Sequence, residues 1–309
     1  MRKKIAIVIP SFNEEGNIEI MAKSIKDTMQ VLPYDYELIF VDDGSSDNTL
    51  IKLKELSQSY DNLFFVELSR NFGHQNALKA GVDIANANAV ITMDGDMQHP
   101  PELIPELLKK WEEGYDVVYT RREDDKSNSY FKRKTSKGFY SVMNYLSEVN
   151  FEPGTADFRL MDEKVVAVFT DFSENELFIR GLVSWLGFKQ FALDYVPAER
   201  FSGKSKYTMK KMMRFAIQGI TSFSTRPLHI AIFLGIGLSF FAFVFYIGYV
   251  LYSMYFGHVI SGWASVISTI VFFGGLNLIV LGIIGMYIGK LFIQSKQRPN
   301  YLIRSTNYK

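Results

Sequence analysis

The sequence predicts an α/β fold: a mostly parallel sheet with helices on both faces, followed by interfacial amphipathic helices and a two-helix transmembrane hairpin. Three observations carry this. Short apolar runs alternate with longer segments of helical spacing through the N-terminal part of the chain. Polar clusters follow one apolar run after another, which in an open parallel sheet places them together on the carboxyl edge, where ligands of such folds bind. No Asp, Glu, Lys or Arg occurs from Pro227 to Gly289, whereas the preceding part is charged throughout.

Strands are expected near Ile5–Ile9, Glu37–Val41, Leu63–Leu68, Ala89–Met93 and Asp116–Thr120. The first of these runs is too short for a signal-peptide core. Between the strands, "NIEIMAKSIKDTM", "DNTLIKLKELSQ", "HQNALKAGVDIANA" and "PELIPELLKKWEEG" carry helical spacing. Ser46, with Asp47, is expected to cap the second helix, and Pro100-Pro101 suits the start of the fourth.

The charge-free interval holds two helices, near Leu228–Tyr255 and Ala264–Ile288, joined by "FGHVISGW". Each exceeds the roughly 20 residues that a hydrocarbon core requires, and a soluble core rarely omits every charge over such a span. Arg214 and Arg226 precede the first helix, Lys290, Lys296, Arg298, Arg304 and Lys309 follow the second, and the connecting loop has neither Lys nor Arg. The positive-inside rule then puts both termini in the cytosol, for a multi-pass protein of the inner (cytoplasmic) membrane. Before the hairpin, Met209, Met212, Met213, Ala216, Ile217, Ile220 and Phe223 form one stripe, with Lys210, Lys211, Arg214 and Gln218 facing away, as in a helix lying in the membrane interface. "YFKRKTSKGFYSVMNYL", with Lys132, Arg133, Lys134 and Lys137, is a second such segment, a core-facing helix being its alternative. The expected organisation is a cytosolic domain over 1–206, a juxtamembrane helix over 207–226, the hairpin over 227–289 and a cytosolic basic tail over 290–309. Gly274, Gly275, Gly282, Gly285 and Gly289 in the second span suit close helix packing and a homo-oligomer.

Composition narrows the function classes. A net charge of +1 over 309 residues gives no ground for nucleic-acid binding. The absence of cysteine excludes disulfides, thiolate nucleophiles and thiolate-bound zinc. The motif "DGDMQHPPE" sets Asp94 and Asp96 on either side of Gly95 at a strand end. Like charges this close repel unless a cation sits between them, and two carboxylates with the Gln98 amide oxygen suit Mg²⁺ or Mn²⁺. His99 reads as local packing or a hydrogen bond. In "VDDGSSDNT", Asp42 and Asp43 are one acid more than a turn needs, and a carboxylate there can accept from a nucleobase or ribose hydroxyl. "RFSGKSKY" places Arg200, Lys204 and Lys206 around Gly203, a loop suited to phosphate oxygens or to anionic lipid.

"IAIVIPSFNEEGNI", "VDDGSSDNT", "LSRNFGHQNAL", "DGDMQHPPELI", "ADFRLMD" and "RFSGKSKY" occur in the order seen in membrane-anchored family 2 glycosyltransferases. The chain most resembles their polyisoprenyl-phosphate group, which includes bactoprenol glucosyltransferases and dolichyl-phosphate mannose synthases. The resemblance covers nearly the whole chain. It implies a GT-A-type, Rossmann-like sheet and inverting transfer of a sugar from a nucleotide sugar to a polyisoprenyl phosphate, undecaprenyl phosphate in a bacterium. It implies that Pro10, Phe12, Glu14, Val41 and Asp43 line the nucleotide pocket, and that Asp94, Gly95, Asp96 and Gln98 hold metal and diphosphate. Arg122, with Arg121 as the alternative, faces the diphosphate, and Arg200, Lys204 and Lys206 meet phosphates near the membrane. Asp157 and Arg159 match the "DFR" of the glucosyltransferase-like subgroup, which favours UDP-glucose over GDP-mannose and makes Asp157 a base or an orienting group.

Overall fold

β1 (Lys4–Ser11) is buried along nearly its whole length, because layers of helices cover both of its faces. The computed structural model describes residues 2–122, 144–147, 152, 154–174, 177–196, 220–222, 224–256 and 262–309. Arg200, Lys204 and Lys206, the stripe residues 207–219, the basic segment with Lys132, Arg133, Lys134 and Lys137, and loop residues 257–261 lie outside the described residues.

Along the chain run α1 (Ile18–Met29), β2 (Asp35–Asp42), α2 (Thr49–Ser59), β3 (Leu63–Leu68), α3 (His74–Ile84), β4 (Ala89–Thr92), α4 (Ile104–Glu112), β5 (Val117–Arg122), β6 (Thr155–Asp162), α5 (Glu163–Thr170), α6 (Ile179–Trp185) and β7 (Gln190–Tyr195). Two long helices, α7 (Arg226–Phe256) and α8 (Trp263–Ser295), precede β8 (Ile303–Thr306). The strands form one sheet in the order β7-β5-β6-β4-β1-β2-β3-β8. β1 is parallel to β2 and β4, β2 to β3, and β5 to β7. The exceptions are β6, antiparallel between β4 and β5, and β8, antiparallel to β3.

Strand alternation sorts the core into two layers. Ile5, Ile7, Ile9, Leu38 and Phe40 meet α1, α2 and α4 through Met21, Ile25, Leu53, Leu107 and Trp111. Ala6, Val8, Ile39 and Val41 meet α3, α5 and α6 through Ala77, Leu78, Val165, Phe169 and Leu182. Gly81 lets α3 sit this close: a Cβ there would come within 2.3 Å of Val8 Cγ1 and 2.9 Å of Val41 Cγ2. The later turns of α3 are thereby held close against the sheet.

Five strands lie where the sequence predicts them; β6, β7 and β8 are additional. Buried Asp157 and Arg159 interrupt the apolar signal of β6, β7 is a half-exposed six-residue run, and β8 is short and mostly polar. The cap of α2 also differs. Ser46 donates its backbone N–H and hydroxyl to Asn13 Oδ1, while Asp47 Oδ1 accepts the Thr49 N–H at 3.0 Å.

α7 and α8 have 31 and 33 residues, about 45–50 Å at 1.5 Å per residue, enough to cross a hydrocarbon core of about 30 Å. Their large apolar side chains, among them Phe233, Phe240, Val271 and Leu278, are exposed, as lipid-facing groups are. α8 continues beyond the predicted span. Lys290 Nζ donates to Ser222 Oγ, and Gln294 Nε2 donates to the Ser173 carbonyl. The segment 290–309, expected as a basic tail, is instead a helix end and an edge strand. Arg304 and Ser305 pair with Glu67, Tyr301 donates to Asp83 and Tyr308 to Glu37. β8 covers the β3 edge, which would otherwise present unpaired backbone groups.

Candidate active site

The site forms where β1, β2, β3 and β4 end. The loops after β1 and β2 interlock there: Asn13 N–H donates to Ser45 Oγ, Glu14 N–H to Thr49 Oγ1, and Asn48 N–H to Glu15 Oε2. Asn13 adopts a left-handed backbone (φ 57°), which asparagine tolerates. Phe12, at the rim, is 43% exposed, an apolar ring facing outward. Glu14 accepts from the Asn17 amide. Pro10 and Val41, expected to line the pocket, are buried, with Val41 packed under α3. Asp43 accepts the N–H groups of Phe72 and Gly73 at 2.7 and 2.9 Å, so its carboxylate holds the β3–α3 loop. Burial nonetheless pushes its carboxyl up.

The "DGDMQH" turn follows β4. Gly95 lies against β1, where a Cβ would stand 3.4 Å from the Pro10 carbonyl. Met97 is left-handed (φ 62°), an uncommon conformation for a long side chain. His99 explains how the turn is held: its Nδ1 accepts the Asp94 N–H at 3.0 Å, and its ring stacks on Phe158. Asp96 Oδ1 accepts the Gln98 N–H at 3.1 Å. Gln98 Oε1 accepts from Arg122 Nη2 at 3.0 Å, and Arg122 Nε donates to the Tyr195 hydroxyl. Arg121 points the other way, to Asp194 and Glu152. Alternation along β5 thus separates the two arginines and sets Arg122 beside the turn.

Asp157 reaches the same edge because β6 runs antiparallel to β4, so that its beginning meets the end of β4. Thr92 Oγ1 donates to the Asp157 carbonyl at 2.6 Å. Arg180, from α6, donates to both carboxylate oxygens, Nε to Oδ1 at 2.9 Å and Nη2 to Oδ2 at 2.8 Å. Arg159 Nη2 lies 3.4 Å from Oδ1, and Gln75 Nε2 donates to Oδ2 at 3.4 Å. Burial alone would raise this carboxyl, but Arg180, His74 and Arg159 hold it well below the usual carboxylate range.

His74, the first residue of α3, joins the two halves. Its Nε2 lies 3.2 Å from Asp94 Oδ1 and 3.6 Å from Asp157 Oδ2. Burial disfavours the charged ring, yet the Asp157 and Asp94 carboxylates outweigh it and push His74 up to about 10. His74, Asp94 and Asp157 offer ligand atoms within 4.8 Å of one another. Asp157 is already matched by Arg180, whereas buried Asp94 Oδ1 has the His74 imidazole at 3.2 Å and no hydrogen bond of normal geometry among the described residues. Asp94, with Asp96 close by in the same turn, therefore fits a divalent cation that prefers oxygen. Gln98, expected as a third ligand, gives its oxygen to Arg122.

Sequence reasoning did not assign His74 or Arg180. His74 carried a signal, since it directly follows the polar cluster after β3. Arg180 carried none, because packing of α6 beneath the site brings it there.

The family model described as glycosyl transferase family 2 matches residues 6–171. An uncharacterized glycosyltransferase, YkcC, of Bacillus subtilis is 42% identical over 302 residues, 97% of this chain and 93% of that protein. The bactoprenol glucosyl transferase of Shigella phage SfV is 38% identical over 306 residues, 99% of this chain and 100% of the phage protein. Among solved structures, the mannosyltransferase PcManGT of Pyrobaculum calidifontis, in complex with GDP-Man and Mn²⁺, is similar at 16% identity and TM-score 0.49. That alignment covers 72% of this chain and 64% of the other.

Proposed function

This chain belongs to glycosyl transferase family 2, and from that premise we propose that it transfers glucose from UDP-glucose to the phosphate of a polyisoprenyl lipid, undecaprenyl phosphate, at the cytosolic membrane face. The observation that carries this reading is the match, along essentially the full length of both chains, to a bactoprenol glucosyl transferase. The two spans suit a lipid acceptor, which a soluble enzyme would meet only at an interface.

In this reading the acceptor phosphate oxygen attacks the anomeric carbon from the face opposite the leaving group. The new C–O bond forms as the bond to the diphosphate breaks, the sugar inverts, and UDP departs. A phosphomonoester with a second pKa of about 6 is already largely ionised at neutral pH, so little proton removal is demanded. Asp94 and Asp96 would hold Mg²⁺ or Mn²⁺, which supplies charge neutralisation at the diphosphate. Arg122, fixed by Gln98 and Tyr195, stands ready beside that turn, an orientation set before substrate arrives. Phe12 offers a face for the base, and the interlocked loops after β1 and β2 shape the nucleoside end. Arg200, Lys204 and Lys206 are proposed to meet phosphates from the membrane side, with both termini cytosolic. A homo-oligomer is proposed from the glycines of α8, where added Cβ atoms would meet no neighbour within 4 Å.

The test offers detergent-solubilised protein a panel of radiolabelled nucleotide sugars with undecaprenyl phosphate and Mn²⁺. Label entering the lipid phase from UDP-glucose is the expected outcome. Transfer from GDP-mannose instead would keep the reaction and replace the donor, and transfer from none would sink the proposal.

A further inference from the structure

Resting on this functional reading, we infer that Asp157 is a positioning residue for Arg180, and that Arg180 with His74 receives the acceptor phosphate. Asp157 would then act by holding a cation in place and not by taking a proton.

Exposure decides between these roles. The Asp157 side chain is 3% exposed, whereas Arg180 is 32% and His74 41% exposed. A general base must come within about 2.6–3.2 Å of the proton it takes, directly or through one water. Here Arg180 covers both carboxylate oxygens, and Gln75 and Arg159 approach them as well. An incoming group meets the arginine and the imidazole first. Beneath them lie Asp157 and Arg159, so the carboxylate keeps the paired arginines in place and lowers the cost of holding them together.

Charge leads to the same assignment. Arg180 and Arg159 outnumber Asp157, and His74 adds its ring on the side of Asp94. Of the two carboxylates, Asp157 is offset by the arginines bound to it, and Asp94 belongs to the diphosphate side. A bare carboxylate at the attacking position would repel a phosphate dianion, whereas a guanidinium held by two bonds presents an oriented cation. Gln75 locks the geometry from behind: its Oε1 accepts the Ile179 N–H at 3.1 Å while its Nε2 reaches Asp157, tying the start of α6 to the cluster.

The test uses the full-length protein in detergent, with three variants: Arg180→Gln, Arg180→Lys and Asp157→Asn. Initial rates are measured against polyisoprenyl phosphate and against nucleotide sugar, and inorganic phosphate is titrated as a probe of the anion site. For Arg180→Gln, KM for the lipid phosphate is expected to rise by about tenfold to hundredfold, the loss typical of a charged hydrogen bond. KM for the nucleotide sugar should move by less than about threefold, Arg180→Lys should recover part of the loss, and phosphate binding should weaken in parallel. For Asp157→Asn, the acceptor KM should rise while the pH–rate profile keeps its shape.

An Asp157→Asn enzyme that loses kcat with the acceptor KM unchanged, or that loses the acidic limb of the profile, would make Asp157 a base and overturn the inference. Unchanged phosphate binding in Arg180→Gln would overturn it too. A wild-type enzyme that uses no polyisoprenyl phosphate would end the functional reading instead, and the phosphate titration would still decide whether Arg180 receives an anion.

Discussion

Asp94 and Asp157 stand within reach of the same imidazole, yet their surroundings differ in kind. Asp94 is 26% exposed, and its buried oxygen faces the His74 imidazole at 3.2 Å with no guanidinium on it among the described residues. Asp157 is buried, with both oxygens matched by guanidinium groups. The Asp94 carboxylate carries the lighter cationic cover, as a site that takes a cation does; both oxygens of Asp157 are matched, although Arg159 Nε beside them is buried without a partner among the described residues. Functional sites keep strained or unmatched groups at a cost in stability. The two carboxylates should therefore separate activity from stability when each is changed.

The largest effect is expected on the Asp94 side. Asp94→Asn should lower kcat by at least about a hundredfold, as loss of a preorganised electrostatic group does, while changing unfolding free energy by less than about 1 kcal/mol. Radiolabel transfer and thermal unfolding read the two quantities. Excess chelator should abolish transfer reversibly, with Mn²⁺ restoring it; full activity in chelator would remove the cation from this half.

Asp157→Ala should show the opposite balance. It leaves Arg159 and Arg180 facing each other without their shared partner, and breaking one member of a buried ion cluster costs about 3–5 kcal/mol. If Asp94→Asn proves the more destabilising of the two, the contrast fails. The linkage has a defined sign. Asp157 is held below its ordinary value in the folded protein, so its contribution is in place above the unfolded value of about 3.9 and is lost as pH falls through the lower folded value. Between pH 5 and 8 its contribution should stay constant, and an unfolding series against pH checks this.

Gly81→Ala probes the support of the shared imidazole. The added Cβ meets Val8 and Val41 in the sheet and should cost about 1–3 kcal/mol by overpacking, with a loss of activity as α3 and His74 shift. The smallest effect belongs to the far edge. Arg304 is an exposed partner of the buried Glu67, which Lys54 and Ser305 also hold, so Arg304→Ala should change stability by less than about 1 kcal/mol and leave transfer unaffected.

The two halves also differ in how legible they were. The Asp94 half is local: Asp94, Gly95, Asp96 and Gln98 are neighbours in sequence, and their spacing alone suggests a cation, with the diphosphate implied by the family resemblance. Arg122 and Arg121 could not be separated until β5 showed which face each occupies. The Asp157 half is non-local. Asp157 is drawn to the site by an antiparallel strand, His74 by the helix after β3, and Arg180 by a helix whose sequence carries no motif. Met97 and His99 belong with the local half in sequence, but the hydrogen bond that sets the turn, from the Asp94 amide to His99, was visible only once the backbone was folded.

By itself, the sequence determined the alternating sheet and helices, the charge-free pair of spans and the motifs at the strand ends. These follow from periodicity, hydropathy and short-range chemistry, all of which are written within a few residues. Tertiary structure decided the antiparallel placement of β6, the return of 303–306 to the sheet edge and the Arg180–Asp157–His74 cluster. Those depend on which segments, up to about 240 residues apart, pair across the sheet. That outcome is set by the packing of both faces at once, and no local window of the chain records it.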